Sequence, residues 1–210
     1  MAEEPSVGPC DEGGLNFAGL PRSHFQAVVI DPPWRFSGGT RSRPQHYRRM
    51  SLAEVEALPV RGLLHPDGGR VFLWITAPLL HRIPEIAKAW KLRYSSAIPW
   101  IKLWPSETGL FVYASSISRG TGFEVIGAAE YVAILKAGRP HSIKGRPFSG
   151  VWIEPRREHS RKPSNLIEEI EARIPGPYLE IFGRQSRPGW TVWGDEATKF
   201  DPAPTLAAAE

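Results

Sequence analysis

Residues 27–34 read AVVIDPPW: Ala27, Val28, Val29 and Ile30, then Asp31, Pro32, Pro33 and Trp34. Four apolar, mostly β-branched residues suit a short strand buried on both faces. The strand must end at the prolines, because proline has no N–H for the sheet ladder. An acidic side chain is left at the strand tip, and two consecutive prolines fix the direction of the chain beyond it. The plain structural reading is a strand stop and a turn. The functional reading is that this tip carries chemistry.

Working outward, segments of similar composition lie at residues 71–75 (VFLWI), 98–102 (IPWIK), 131–135 (YVAIL), 178–182 (YLEIF) and 190–193 (WTVW), giving six expected strands. Helical patterns fall between several of them. Ser51, Leu52, Ala53 and Glu54 form a capping-box pattern opening a helix through about Leu58. Leu79, Leu80, Ile83, Ile86, Ala87 and Trp90 recur at helical spacing. So do Leu166, Ile167, Ile170 and Ile174, with Glu168, Glu169 and Glu171 on the solvated side. Strands alternating with helices predict an α/β fold, an open, mainly parallel sheet with flanking helices. Such sheets bind ligands in the crevice beyond the carboxyl ends of their strands. Two tips carry unusual chemistry there, Asp31-Pro32-Pro33-Trp34 and, after the YLEIF strand, Gly183-Arg184. If the two strands are central and adjacent, both tips face one pocket.

Composition narrows the class. A chain of 210 residues suits about one domain, expected at residues 23–198 between flexible tails at 1–22 and 199–210. With 41% hydrophobic and 23% charged residues it is not an intrinsically disordered chain. The single cysteine, Cys10, excludes an intramolecular disulfide and a thiolate zinc cage. The opening MAEEPSVGPCDEGG has neither a basic leader nor an apolar stretch, and no uncharged run reaches the roughly 18 residues of a membrane span. A soluble, cytoplasmic protein without a membrane partner is expected. The net charge of +4 is compatible with a polyanionic partner but too small to demonstrate one. Its placement says more. Residues 40–50 carry Arg41, Arg43, Arg48 and Arg49 with no acid, and residues 139–162 carry Lys144, Arg146, Arg156, Arg157 and Arg161 against Glu154 and Glu158. Arginine runs are often only solvated loops. Here they flank the inferred site, and His46 and Tyr47 interrupt the first with stackable rings, which favours phosphate contact.

The Asp-Pro-Pro-Trp tip suits one task, holding an exocyclic amino group on a planar base. Asp31 and the Pro32 carbonyl, which has no ladder partner, accept from the amine, and Trp34 offers a flat ring for stacking. An aryl amine is a poor nucleophile because its lone pair is delocalised. Two acceptors favour a more pyramidal nitrogen, and proximity to an electrophile does the rest. Trp100, Trp104 and Trp152 are further candidates for holding the acceptor, with core packing the stronger reading of Trp100. The sequence has no G-x-G-x-x-G, P-loop or H-E-x-x-H motif, which counts against nicotinamide and metal-hydrolase chemistry.

AVVIDPPW resembles the catalytic motif of the MT-A70-like N6-adenine methyltransferases. The likeness continues in order through YRRMS (residues 47–51), IPWIK (98–102), RGTGF (119–123), AEYVAILKAG (129–138), REHSRKP (157–163), LEIFGR (179–184) and GWTVWGDE (189–196). It implies a Rossmann-like methyltransferase fold, S-adenosylmethionine as cofactor and a permuted order in which the catalytic motif precedes the main cofactor strand. Asp31, Pro32, Pro33 and Trp34 are then catalytic, and Asp31 also lies near the methionine ammonium. Lys162 contacts the methionine carboxylate end, and Glu180, Phe182, Gly183 and Arg184 serve the cofactor. Asp195 and Glu196 stand where the family usually has amides, and acids can still accept from ribose hydroxyls. Trp34, Tyr47, Arg48 and Lys102 fall on the substrate side, and no metal is implied. Gln185, Ser186 and Arg187 replace a histidine and an asparagine, so those family contacts do not carry over. Structural alternatives stand beside these roles: Lys162 as a solvated charge before a helix, Glu180 on the solvent face of an alternating strand.

The expected activity is methylation of the adenine N6 amino group in nucleic acid, DNA ahead of RNA, in a bacterial or phage-type setting. The base is taken from a single strand or flipped from a duplex. A homodimer or second subunit is a further expected partner. The alternatives are RNA adenine methylation, a cytosine amino-methyltransferase and a non-catalytic nucleic-acid-binding subunit.

Overall fold

Strand β1 (Ala27–Ile30) is buried along its whole length, because it lies in mid-sheet, parallel to β2 (Gly68–Thr76) on one side and to β6 (Tyr178–Ile181) on the other. The structure is a computed structural model and describes residues 17–35, 49–105, 113–120, 124–157 and 161–202. Among these, β3 (Arg93–Leu103), β4 (Ala129–Gly138), β5 (Trp152–Pro155) and β7 (Trp190–Trp193) complete a seven-stranded sheet of order β5-β3-β4-β2-β1-β6-β7. All six expected strands are present. The seventh, β5, reads WIEP, and its Glu154 and Pro155 break the apolar run that marks the other strands.

The sheet is mainly parallel, as expected, but β4 runs antiparallel to both β2 and β3. A parallel return needs a long crossover, usually helical. The described part of the β3–β4 connection holds only one 3-10 turn, at Ala114–Ser116.

Helix α1 (Leu52–Glu56) opens on the expected capping box: the Ser51 hydroxyl accepts from the Glu54 N–H at 3.3 Å, and the Ser51 N–H donates to Glu54 Oε2 at 2.7 Å. The pattern beginning at Leu79 resolves into a 3-10 turn (Ala77–Arg82) and helix α2 (Ile83–Ala89). Helix α3 (Asn165–Arg173) is as the spacing predicts. Alternation along the strands sorts the core into two layers. Val28, Ile30, Leu73 and Ile181 point into the layer capped by α1 and α2. Val29, Phe72, Trp74, Trp100 and Trp152 point into the layer capped by α3. The result is a Rossmann-like α/β arrangement.

Packing runs past both expected domain boundaries. Phe17 is buried edge-on to Trp193 at 5.1 Å, and the Asp201 carboxylate accepts from the Ser186 N–H at 2.7 Å and its hydroxyl at 2.6 Å. Among the described residues no helix is long and apolar enough to cross a membrane.

Candidate active site

Adjacency of β1 and β6 brings the two unusual tips together. Ile30 stands opposite Ile181, and the Asp31 N–H donates to the Ile181 carbonyl at 3.4 Å. One cleft is lined by Asp31, Trp74 and Lys162 and by Glu180, Phe182 and Arg184. The floor comes from Val29 in β1 and from Leu166 and Ile167 in α3.

Hydrogen bonds hold the first tip rigidly. The Pro33 carbonyl accepts from the Met50 N–H at 2.8 Å, and the Arg35 N–H donates to the Met50 carbonyl at 2.9 Å. The Pro32 carbonyl has no ladder partner, as its place after the strand dictates. It is nonetheless engaged, accepting from the Trp34 N–H at 2.8 Å, which leaves one lone pair for a ligand. Trp34 departs from the expected open stacking face. It is 8% exposed, packs in the α1–α2 layer and donates its indole N–H to the Trp74 carbonyl at 3.1 Å. Burial of the ring and satisfaction of its N–H make it a clamp tying the loop to β2.

Beyond Asp31 lies a row of alternating charge. Lys162 Nζ donates to Asp31 Oδ2 at 2.7 Å and is 3.3 Å from Glu130 Oε2, while Lys102 Nζ bonds the other oxygen of Glu130. The lysines rest on aromatic rings, Lys162 5.5 Å from the Trp74 ring centre and Lys102 5.1 Å from that of Trp100. Lys162 is therefore not a solvated charge. Burial opposes its ionisation, but Asp31 and Glu130 outweigh that and hold its pKa above the ordinary lysine range. Burial also opposes ionisation of Glu130, and the two ammonium groups more than offset it, so Glu130 is held below the usual carboxylate range. Asp31 goes the other way. Burial pushes it up, Lys162 compensates only in part, and Glu130 adds repulsion.

The second tip begins where β6 ends at Ile181, one residue short of the expected limit. Phe182 is left-handed at φ 62°, and the Phe182 and Gly183 N–H groups both point at the Trp193 carbonyl, at 2.6 and 3.3 Å. Gly183 is required by packing: a Cβ there would lie 2.5 Å from Val192 Cγ1. The close approach at this glycine is to a neighbouring strand, and Gly183 is not among the residues lining the cleft. Glu180 faces the cleft, where burial pushes its pKa up, partly relieved by Arg187 at 3.4 Å. The Arg184 guanidinium is 3.2 Å from Glu196, which thus supports the cleft from behind. Asp195 is exposed and outside the lining.

Tyr47 and Arg48 lie outside the described residues, as do 121–123 of the RGTGF segment and 158–160 of REHSRKP. Lys102 lies in the charged row, beyond the cleft lining. Trp100 and Trp152 are core residues, 2% and 3% exposed, with indole N–H groups bonded to the Glu154 carbonyl and to Glu169. Sequence reasoning missed Glu130 and, in the lining, Trp74 and Phe200; it placed Arg161 only in a basic run flanking the site and named Arg187 only as a departure from the family pattern. Glu130 had a signal, since a lone acid opening a buried strand needs a partner. Phe200 had none; it packs under the Arg161 guanidinium at 5.1 Å, inside the expected tail.

The donor set fits S-adenosylmethionine. A carboxylate beside an ammonium, Asp31 and Lys162, complements an amino-acid zwitterion. Glu180 and Arg184 offer an acceptor and donors to ribose oxygens. Trp74 and Phe182 add apolar surface.

Comparison with known proteins agrees in extent with the body just described. The family model described as MT-A70 matches residues 25–196. The chain is 28% identical to the human N(6)-adenine-specific methyltransferase METTL4 over 210 residues, covering 96% of this chain and 42% of that protein. It is 25% identical to the Type II methyltransferase M.MunI of Mycoplasma sp, covering 90% of this chain and 84% of that protein. It is 28% identical to the N6-methyladenosine RNA methyltransferase MTA1 of Cryphonectria parasitica, covering 84% of this chain and 52% of that protein. The chain thus spans about two fifths of the length of the METTL4 relatives.

Proposed function

Because this chain belongs to the MT-A70 family, we propose that it methylates the N6 amino group of adenine in nucleic acid, with S-adenosylmethionine as donor and DNA ahead of RNA as acceptor. The observation that carries this reading is the common cleft of Asp31 with Glu180 and Arg184. When bound, S-adenosylmethionine supplies an electrophilic methyl group on a sulfonium, so the protein needs no covalent nucleophile.

The chain's own residues then have defined tasks. Asp31, with oxygen lone pairs beyond the one used by Lys162, and the remaining lone pair of the Pro32 carbonyl accept from the adenine amino group. Asp31 also receives the ammonium of the cofactor's amino-acid end, and Lys162 its carboxylate. Glu180 accepts from ribose hydroxyls, held in place by Arg187, and Arg184 donates to the ribose, braced by Glu196. The Met50 and Trp34 bonds keep the Pro32 carbonyl from turning away. Fixed acceptors of this kind act by orientation, which can supply a large part of a two-substrate rate enhancement. The base reaches the cleft from a single strand or by flipping.

DNA is favoured because a relative spanned over 84% of its length carries the Type II methyltransferase name, while the RNA methyltransferase of Cryphonectria parasitica is spanned over 52%. The test uses matched oligonucleotides differing only in the 2′-hydroxyl, methyl-labelled cofactor and mass analysis of the digested nucleosides. N6-methyldeoxyadenosine is expected. A strong preference for the ribo strand overturns the DNA assignment, and a methylated cytosine overturns the adenine assignment. Failure to bind the cofactor at all favours a non-catalytic subunit.

A further inference from the structure

The carboxyl edge of the sheet continues past the charged row to a second aromatic and cationic feature. Trp104 follows β3 two residues after Lys102, and the Arg156 guanidinium lies 4.7 Å from its ring centre. Both backbones are fixed: the Trp104 N–H donates to the Ser116 carbonyl at 3.0 Å and the Arg156 N–H to the Leu103 carbonyl at 3.0 Å. Ser116 also holds Tyr113, whose N–H donates to the Ser116 hydroxyl at 3.3 Å. Trp104 is 37% exposed and Tyr113 66% exposed, so both rings present aromatic surface to solvent. A stacked indole and guanidinium on a rigid base, open to solvent, combine the two elements that bind single-stranded nucleic acid, a π face and a cation.

Resting on the methyltransferase reading above, we infer that Trp104 and Arg156 form a stacking platform for a nucleotide flanking the target adenine on the same strand. Strand order excludes the target base itself. Asp31 is at the tip of β1, and β3 lies three strand spacings away across β2 and β4, about 14 Å, too far for one base to reach both. The Lys102–Glu130 pair fills the interval, so the cofactor cleft and the platform occupy opposite ends of one edge. Stacking is tolerant of base identity, so the platform adds affinity without demanding a sequence.

Anisotropy titration with a labelled, adenine-free oligothymidylate reads this platform without methylation. Trp104→Ala is expected to weaken binding about tenfold and Trp104→Phe to recover most of the loss. Arg156→Gln, an exposed change that keeps the test valid should Trp104→Ala not fold, is expected to weaken binding and flatten its salt dependence. Calorimetric affinity for S-adenosylmethionine should match the wild type in all three. Unchanged oligothymidylate affinity in Trp104→Ala and Arg156→Gln, or none in the wild type, overturns the inference, whatever the methylation assay gives. Binding that depends on Trp104 in a chain that methylates nothing keeps the platform and overturns the enzyme.

Discussion

The carboxylates that line the cleft and the carboxylate just outside it are compensated differently. Glu130, outside, is shared by two ammonium groups and held below the ordinary glutamate range. Asp31 and Glu180, inside, are pushed upward by burial, with one cation each in contact at 2.7 and 3.4 Å. A folded protein gains nothing from leaving buried carboxylates short of positive charge and donors. Such a deficit is a mark of a ligand site, and a ligand with an ammonium and hydroxyl donors would supply what is missing. Lys162 joins the two regions, so a change on one side is felt on the other.

The largest expected effect comes from deleting the cleft-side acid. Asp31→Ala should lower kcat by at least about a hundredfold, measured in single-turnover methylation. It should not lower Tm. A carboxyl whose folded pKa is raised contributes stability below its ordinary value of 3.8 that is lost as pH rises through the higher folded value. Asp31 is therefore a liability at neutral pH, and Lys162 keeps Glu130 as a partner when it goes. Near-normal turnover in this variant would remove the catalytic role.

A smaller effect should follow from crowding the second tip. Gly183→Ala drives a Cβ against Val192, and overpacking of this kind costs about 1–3 kcal/mol, read by denaturant titration. Cofactor affinity should weaken too, since Phe182 and Arg184 flank the displaced residue.

The finest test changes Glu130, which lies outside the cleft lining and pairs with Lys162 from beyond it. Glu130→Gln removes a repulsion from Asp31 and leaves Lys162 wholly to it. The acid limb of kcat/KM, set by ionisation of Asp31, should then move to lower pH. Stability should respond with the opposite sign to that of Asp31. A carboxylate with a depressed folded pKa contributes stability above its ordinary value of 4.5 that is lost as pH falls through the folded value. The wild type should therefore exceed Glu130→Gln at neutral pH, and the gap should close below pH 4.5. An acid limb that stays in place would show that Glu130 and Asp31 do not communicate through Lys162.

Local pattern in the sequence reached as far as local physics does. AVVI, the capping box at Ser51 and the spacing of Leu166 to Ile174 each encode their own element, and all three are present in the structure. The reversed β4 and the short β5 depend on which strands meet, which no window of residues records. The same distinction divides the site. Asp31 and Glu180 stood out as charges at or within apolar strands, a conflict visible from neighbours alone. Glu130 raised the same conflict at the start of β4, but its meaning depends on Lys102 and Lys162, 28 and 32 residues away. Trp34 reads as a stacking ring until the Trp74 carbonyl is seen to claim its N–H. Gly183 reads as a cofactor residue until Val192 is seen to pack against it.

A crystal structure of the full chain with S-adenosylhomocysteine would decide whether the two strand tips serve one ligand. The amino-acid end is expected between Asp31 and Lys162, with the ribose hydroxyls at Glu180 and Arg184. A ligand bound at only one of these pairs, or elsewhere on the protein, would contradict the shared site.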